Sequence, residues 1–260
     1  MNNALIYSLL IPFLGTTLGS ASVFFTNKEM KISTKKALSG FASGVMVAAA
    51  FFSLIIPAIN MSENLGKLQF LPVFVGFWIG FIFLLALDEL IPHIHQSGDE
   101  EGLKGSHLKR SIKMMLAIAL HNLPEGMTVG ILYAGYKSGA ASISLTSTIV
   151  LALGIAIQNF PEGMIVSIPF RADGASKKKS FIYGTLSGAV EPLGALLAIA
   201  LSSLLTPIIP YTLSFAAGAM LYVVIDELIP EMSEGEHSNI GIMMFGCGFT
   251  LMLLMEMVLS

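Results

Sequence analysis

The sequence predicts an all-α, polytopic membrane protein with eight transmembrane helices in a 3+2+3 arrangement, and three observations carry the prediction. Of the 260 residues, 54% are hydrophobic and only 12% charged, with a mean hydropathy of +0.78, whereas soluble domains carry about a quarter charged residues. Apolar runs near the ~20 residues needed to cross hydrocarbon follow one another along the whole chain. Segments of the first and last thirds also echo each other. Little chain separates the runs, so residues 1–260 read as a single transmembrane domain, built of helices because helices satisfy their own backbone groups in lipid.

Span 1, at about 4–26, is preceded only by Met1, Asn2 and Asn3 and shows neither a basic flank nor a small-residue cleavage site, so it reads as a mature span. Span 2, at about 37–59, contains "FASGVMVAAAFFSLIIP", and span 3, at about 70–92, ends in "LDELIP". Spans 4 and 5, at about 112–134 and 145–169, carry "HNLPEG" and "QNFPEG". Span 6, at about 181–205, carries "AVEPLGA", and span 7, at about 208–230, contains "FAAGAMLYVVIDELIP". Span 8, at about 240–259, holds the single Cys247, read as a small buried apolar residue.

Spans 2 and 7 share an F-A-x-G-x-M opening and an I-P ending, with one residue of offset, yet they run in opposite directions. That pattern implies an inverted repeat of spans 1–3 against 6–8, with spans 4 and 5 as a central hairpin, as secondary transporters are built. "LDELIP" at 87–92 and "IDELIP" at 225–230 add a further echo. Of the 14 Lys and Arg, only Lys67 and Lys137 lie outside the loops that follow spans 1, 3 and 5. The positive-inside rule then puts both termini on the non-cytoplasmic side of a cell membrane. Basic residues devoted to topology, with a net charge of -3, leave no nucleic-acid-binding face. His237 and Glu63 are assigned to external loops as solvated residues, and Glu256 to the outer end of span 8, where it snorkels. G-x-x-x-G pairs in spans 1, 2, 3 and 6 permit close helix crossings. Packing within the chain is the expectation, with a homodimer contact as the alternative.

The polar residues of spans 4 to 6 carry the chemistry. His121 and Glu125 are four residues apart and share a helix face, with Asn122 beside them. Pro124 cannot donate to the carbonyl of Leu120, so a kink and an exposed oxygen are expected at that depth. Span 5 repeats the device with Gln158, Asn159 and Glu162, where Pro161 frees the carbonyl of Ile157, and span 6 adds Glu191 before Pro192. One ionised residue at a helix centre costs about 2.5–3.5 kcal/mol on the insertion scale, and three together repel one another. A divalent cation held between them offsets that cost. The alternative is interhelical hydrogen bonding among protonated glutamates. Nitrogen and oxygen donors without thiolate suit Zn, Fe(II), Mn, Co and Cd better than Cu(I). Met127 and Met164 turn away from the glutamates and read as packing.

"HNLPEG", "QNFPEG" and "EP" in spans 4, 5 and 6 closely resemble the transport-site motifs of the ZIP family of metal-ion transporters, especially its bacterial GufA-like branch, and the likeness covers all eight spans. The resemblance implies import of a divalent metal into the cytosol by an elevator-like, alternating-access movement. It also implies one metal position formed by His121, Glu125, Gln158 and Glu162. Asn122, Asn159 and Glu191 would form a second beside it, with Glu125 and Glu162 bridging the two. Gln158 stands where a histidine is common in the family, which widens the expected range beyond zinc. Zn2+ or another divalent ion is thus a transported substrate, and no resident cofactor is expected. Asp88, Glu89, His93, His95 and His107 at or beyond the inner end of span 3, with Asp226, Glu227 and Glu231 of span 7, resemble an exit relay of exposed ligands.

Two other function classes share some of these features. An intramembrane metalloenzyme would need a zinc-protease or nucleophile signature, and neither H-E-x-x-H nor G-x-S-x-G occurs. A selective divalent-metal channel would use the same ligands. No G-x-x-x-x-G-K-[ST] motif is present, so transport would run down a gradient or be coupled to an ion.

Overall fold

The computed structural model describes residues 3–26, 30–90, 93–94, 100–101, 110–140 and 143–259. Among them, eight helices are long and apolar enough to cross a membrane: Leu5–Phe24, Ile32–Asn60, Phe70–Leu90, Met115–Lys137, Leu145–Ala172, Lys177–Ala200, Ser202–Ser233 and Ile240–Leu259, called spans 1 to 8 here. The chain is therefore an all-α, multi-pass membrane protein. Its one described strand pairing joins His93–Ile94 to Glu100–Glu101, antiparallel, and the first of these packs against the helix of span 4. Several helices outrun the apolar stretch that reveals them. Span 6 starts at Lys177 because the Ser176 side chain accepts from the Lys179 N–H, capping a basic first turn that hydropathy alone does not count.

The expected proline interruptions take different forms. Spans 4 and 5 run unbroken through Pro124 and Pro161, and the Thr128 hydroxyl donates to the Pro124 carbonyl. Span 6 does break, at Ala189, and restarts at Val190, so Glu191 and Pro192 sit in the first turn of a new helix. Proline is tolerated there, and the partial positive charge of a helix N-terminus favours the carboxylate. Spans 2 and 7 each contain a π-helical turn, Ala50–Ile55 and Val224–Leu228, immediately before their I-P sequences. Ile56 N–H reaches back to Phe51 O, and Ile229 N–H to Val224 O. Pro57 and Pro230 cannot donate, and the wider turn accommodates the lost bond.

Glycine decides which helices touch. The main chain of Phe160 lies where a Cβ on Gly19 would go, and the main chain of Leu123 crowds Gly194 in the same way. Gly163 meets Thr16 as Gly126 meets Glu191, Gly44 meets Phe245 as Gly218 meets Phe77, and Gly80 meets Phe215 as Gly248 meets Phe41. Equivalent residues keep the same offset within each pair of spans, Thr16 to Glu191 as Gly19 to Gly194, Gly44 to Gly218 as Phe41 to Phe215, and Phe77 to Phe245 as Gly80 to Gly248, so spans 1, 2 and 3 approach their neighbours as spans 6, 7 and 8 approach theirs. All four G-x-x-x-G pairs are used inside the chain: the glycines of spans 1, 2, 3 and 6 all abut atoms of this same protein. Two bundles result, one of spans 1, 4, 5 and 6 and one of spans 2, 3, 7 and 8, joined where span 2 meets span 5 and span 7 meets span 4.

Three surface expectations are corrected. His237 does not lie opposite the basic loops, because buried Lys36, at the basic end of span 2, donates its Nζ to the carbonyl of Glu236. An even run of spans returns that loop to the basic side. Cys247 is exposed rather than buried, since span 8 turns only a narrow face to its neighbours. Glu256 is partly buried and accepts from the Ser53 hydroxyl at 3.2 Å, so it does not simply reach for water.

Candidate functional site

The seven polar residues singled out in spans 4, 5 and 6 all lie inside the protein, none more than 6% exposed. Helix periodicity and the glycine contacts explain why they meet. His121, Asn122 and Glu125 occupy one face of span 4, and Gln158, Asn159 and Glu162 the corresponding face of span 5. Gly126 then brings span 4 onto the backbone of Glu191 itself. Within this cluster Gln158 Nε2 donates to Glu125 Oε1. Asn122 Nδ2 donates to Glu191 Oε1 and to the Ser187 carbonyl, each at 3.3 Å. From span 1, the Thr16 hydroxyl donates to the same Glu191 oxygen at 2.7 Å.

Several polar atoms of the cluster lack partners, the Asn159 amide nitrogen among them and most of the rest acceptors. Glu125 Oε2, Glu162 Oε2 and Glu191 Oε2, with the amide oxygens of Asn122, Gln158 and Asn159, are buried and accept no hydrogen bond from a described residue. A buried acceptor left without a donor costs about 1–3 kcal/mol, more when charged, so such a cluster is characteristic of a place that receives a positively charged guest. Among the described residues, no three His, Cys, Asp or Glu side chains stand close enough together to hold a metal ion. The cross-helix bonds account for that: Gln158 holds Glu125, Thr16 holds Glu191, and His121 is turned the other way.

His121 faces spans 3 and 7. Its Nδ1 lies 3.1 Å from Glu227 Oε2 and its Nε2 lies 3.9 Å from Asp88 Oδ1. Two residues read from sequence as an exit relay at the helix ends are thus in contact with the central cluster. The π-helical turn of span 7 carries Asp226 and Glu227, half-buried, at this level. Glu231, one turn farther along, is buried against the Ser39 hydroxyl of span 2. Glu89 does not join them; it is exposed on the far side of span 3. His93 belongs to the short strand pairing, while His95 and His107 lie outside the described residues. Thr16, Ser187 and Ser39 were missed from sequence. Small hydroxylic residues without a motif carry no local signal, and only the helix contacts reveal them.

A model of the family described as ZIP zinc transporters matches residues 3–111 and 98–256. The chain belongs to the ZIP family. Among its relatives, the zinc transporter GufA of Myxococcus xanthus is 35% identical over 266 residues, covering all of both chains. The zinc transporter ZIP11 of Xenopus tropicalis is 34% identical, covering 94% of each chain. The zinc transporter ZIPB of Bordetella bronchiseptica is 34% identical over 95% of this chain and 79% of its own. As a ZIP-family protein the chain is a metal-ion transporter and not an enzyme, and the buried cluster of spans 4 to 6 lies in the part of the sequence that the family model matches.

Proposed function

We propose that this protein imports divalent metal ions, Zn2+ with Fe, Mn, Co and Cd as further candidates, across the cell membrane into the cytoplasm. The observation that carries this reading is the set of buried carboxylate and amide oxygens of Glu125, Glu162, Glu191, Asn122, Gln158 and Asn159 that no described protein donor satisfies. A doubly charged ion offsets two of the three acid charges, and ions in the two positions described next give those oxygens partners. His121, Glu125, Gln158 and Glu162 form one metal position; Asn122, Asn159 and Glu191 form a second, with Glu125 and Glu162 shared. Nitrogen and oxygen donors match this set of metals. The names of the relatives, all zinc transporters, agree with zinc as one cargo.

The exit lies toward spans 3 and 7. His121 can exchange the metal position for Glu227 and Asp88, so a departing ion passes to those carboxylates and on toward Glu231. The mechanism is alternating access: the bundle of spans 1, 4, 5 and 6 shifts against the bundle of spans 2, 3, 7 and 8 within one transmembrane domain. Three features support it. The glycine contacts repeat between the first and last three spans, as an inverted 3+2+3 repeat requires. The π-helical turns recur at matched positions in spans 2 and 7. A wholly apolar cleft of about 620 Å3, lined by Leu14, Leu18, Phe41 and Phe160 among others, runs between the two bundles on the lipid side, and lipid chains there yield to sliding helices. The termini lie outside the cytoplasm by the distribution of Lys and Arg.

Uptake into proteoliposomes tests the reading: zinc flux saturates with concentration and shows counterflow when the lumen is preloaded. Flux that rises linearly without counterflow would identify a channel. Metal loading also weakens in mild acid, because protons compete for the carboxylates and for His121. Titration calorimetry at neutral and mildly acidic pH checks this, and identical isotherms would contradict it. Exchanging Gln158 for histidine replaces a weak neutral ligand by a good zinc ligand and frees Glu125 Oε1. Q158H therefore favours zinc over manganese in competition uptake, by about tenfold, the scale of one charge-assisted interaction. An unchanged zinc-to-manganese ratio would discard that role.

A further inference from the structure

We propose that the Thr16 hydroxyl sets the size selectivity of the metal site by restricting Glu191 to ligation through one oxygen, an inference that rests on Glu191 being a ligand as proposed above. Thr16 is fully buried in span 1. Its Oγ1 donates to Glu191 Oε1 at 2.7 Å, and Asn122 Nδ2 donates to the same atom at 3.3 Å. A carboxylate oxygen offers two lone-pair positions, so Oε1 is fully engaged, while Oε2 is buried and accepts no hydrogen bond of ordinary geometry, the Asn159 side chain being its polar neighbour. One oxygen of this acid is held back and one is offered.

Thr16 has no room to release its grip. Its carbonyl lies where a Cβ on Gly163 would go, and its side chain fills the space a Cβ on Gly188 would need. It also occupies in span 1 the position that Glu191 occupies in span 6, since Gly163 meets Thr16 as Gly126 meets Glu191. The two halves of the protein thus contribute unlike groups to the same place, an acid from one and a hydroxyl that restrains it from the other.

The chemical consequence is a choice between coordination modes. Ligation through one oxygen suits an ion such as Zn2+, content with about four ligands. Chelation by both oxygens belongs to larger hard ions that take about six to eight oxygens, of which Ca2+ is the type. Cd2+ is close to Ca2+ in size and gains from the same change. A hydroxyl that occupies Oε1 therefore selects against larger ions.

The test is competition of Cd2+ and Ca2+ against zinc uptake by the full chain in proteoliposomes, for the parent, Thr16→Val and Thr16→Ser. Valine keeps the shape and removes the donor; serine keeps the donor and removes the methyl group. In T16V, Cd2+ competes roughly tenfold better relative to zinc than in the parent, the scale of one hydrogen bond to a charged group, and T16S keeps the parent ratio. Should T16V fail to insert, Thr16→Ala removes the same donor and gives the same shift. A T16V or T16A ratio equal to that of the parent overturns the inference, as does a T16S ratio displaced as far as that of T16V, which would mark a packing effect. Zinc binding by Glu191→Gln separates the two readings. Full zinc binding in E191Q removes the ligand assignment itself; weakened binding in E191Q with an unshifted T16V removes only the role of Thr16.

Discussion

Replacing Glu162 by alanine abolishes divalent-metal uptake, and replacing Glu125 does the same, while both variants reach the membrane as folded protein. Each acid is shared between the two proposed metal positions, so its loss disables both together. Even outer groups that only orient a ligand are worth about 10- to 100-fold in metal affinity or activity, and a bridging carboxylate exceeds the upper end of that range. The fold has no such dependence. Both side chains are buried with an oxygen that no described residue satisfies, and removing an unsatisfied buried acid relieves desolvation and mutual repulsion. Uptake of radioactive zinc, normalised to the surface amount of each variant, makes the comparison. Normal zinc accumulation in either variant would overturn the site assignment.

The second large effect is structural. Valine at Gly126 places its Cβ on the carbonyl of Glu191, an approach that backbone against backbone cannot absorb by rotating a side chain. Overpacking in a well-packed core costs about 1–3 kcal/mol when side chains yield, and a rigid main chain puts this substitution at or above ~3 kcal/mol. Because Glu191 is the residue displaced, metal binding and fold stability fall together. Gly246, with no atom near its missing Cβ, provides the control: valine there leaves the protein unaffected. Thermal melting in detergent separates the two, and equal melting temperatures for G126V and G246V would refute the packing scheme.

Both expectations draw on parts of the molecule that the sequence reveals unequally. Span number and the motif helices were legible because hydropathy and short motifs are local, whereas the break of span 6 at Ala189, rather than at Pro124 or Pro161, was not. The ends of spans 2 and 6 were less so, since polar first turns beyond the hydrocarbon lengthen a helix without raising its hydropathy. Contacts between spans were hidden for a different reason. A G-x-x-x-G pair announces that a helix is approached closely but not by which neighbour, so neither the meeting of Gly126 with Glu191 nor that of Gly163 with Thr16 follows from spacing.

The relay shows the same limit. Asp88 and Glu227 read as helix-end carboxylates, yet a π-helical turn in span 7 and the packing of span 3 on span 7 through Gly76 and Gly80 bring them to His121. Glu89, adjacent in sequence to Asp88, faces outward. One step along a helix turns a side chain by more than a quarter of a circle, which a cluster of acids in a sequence does not disclose. His237 shares a side with the basic loops for a simpler reason: spans 2 to 7, an even number, separate its loop from the one after span 1.

Anomalous scattering from crystals soaked in zinc or cadmium tests the central claim most directly. The account predicts a metal peak enclosed by Glu125, Glu162 and Glu191, within coordination distance of at least two of them. Peaks confined to surface carboxylates, with those three side chains bonded only to protein groups, would contradict it.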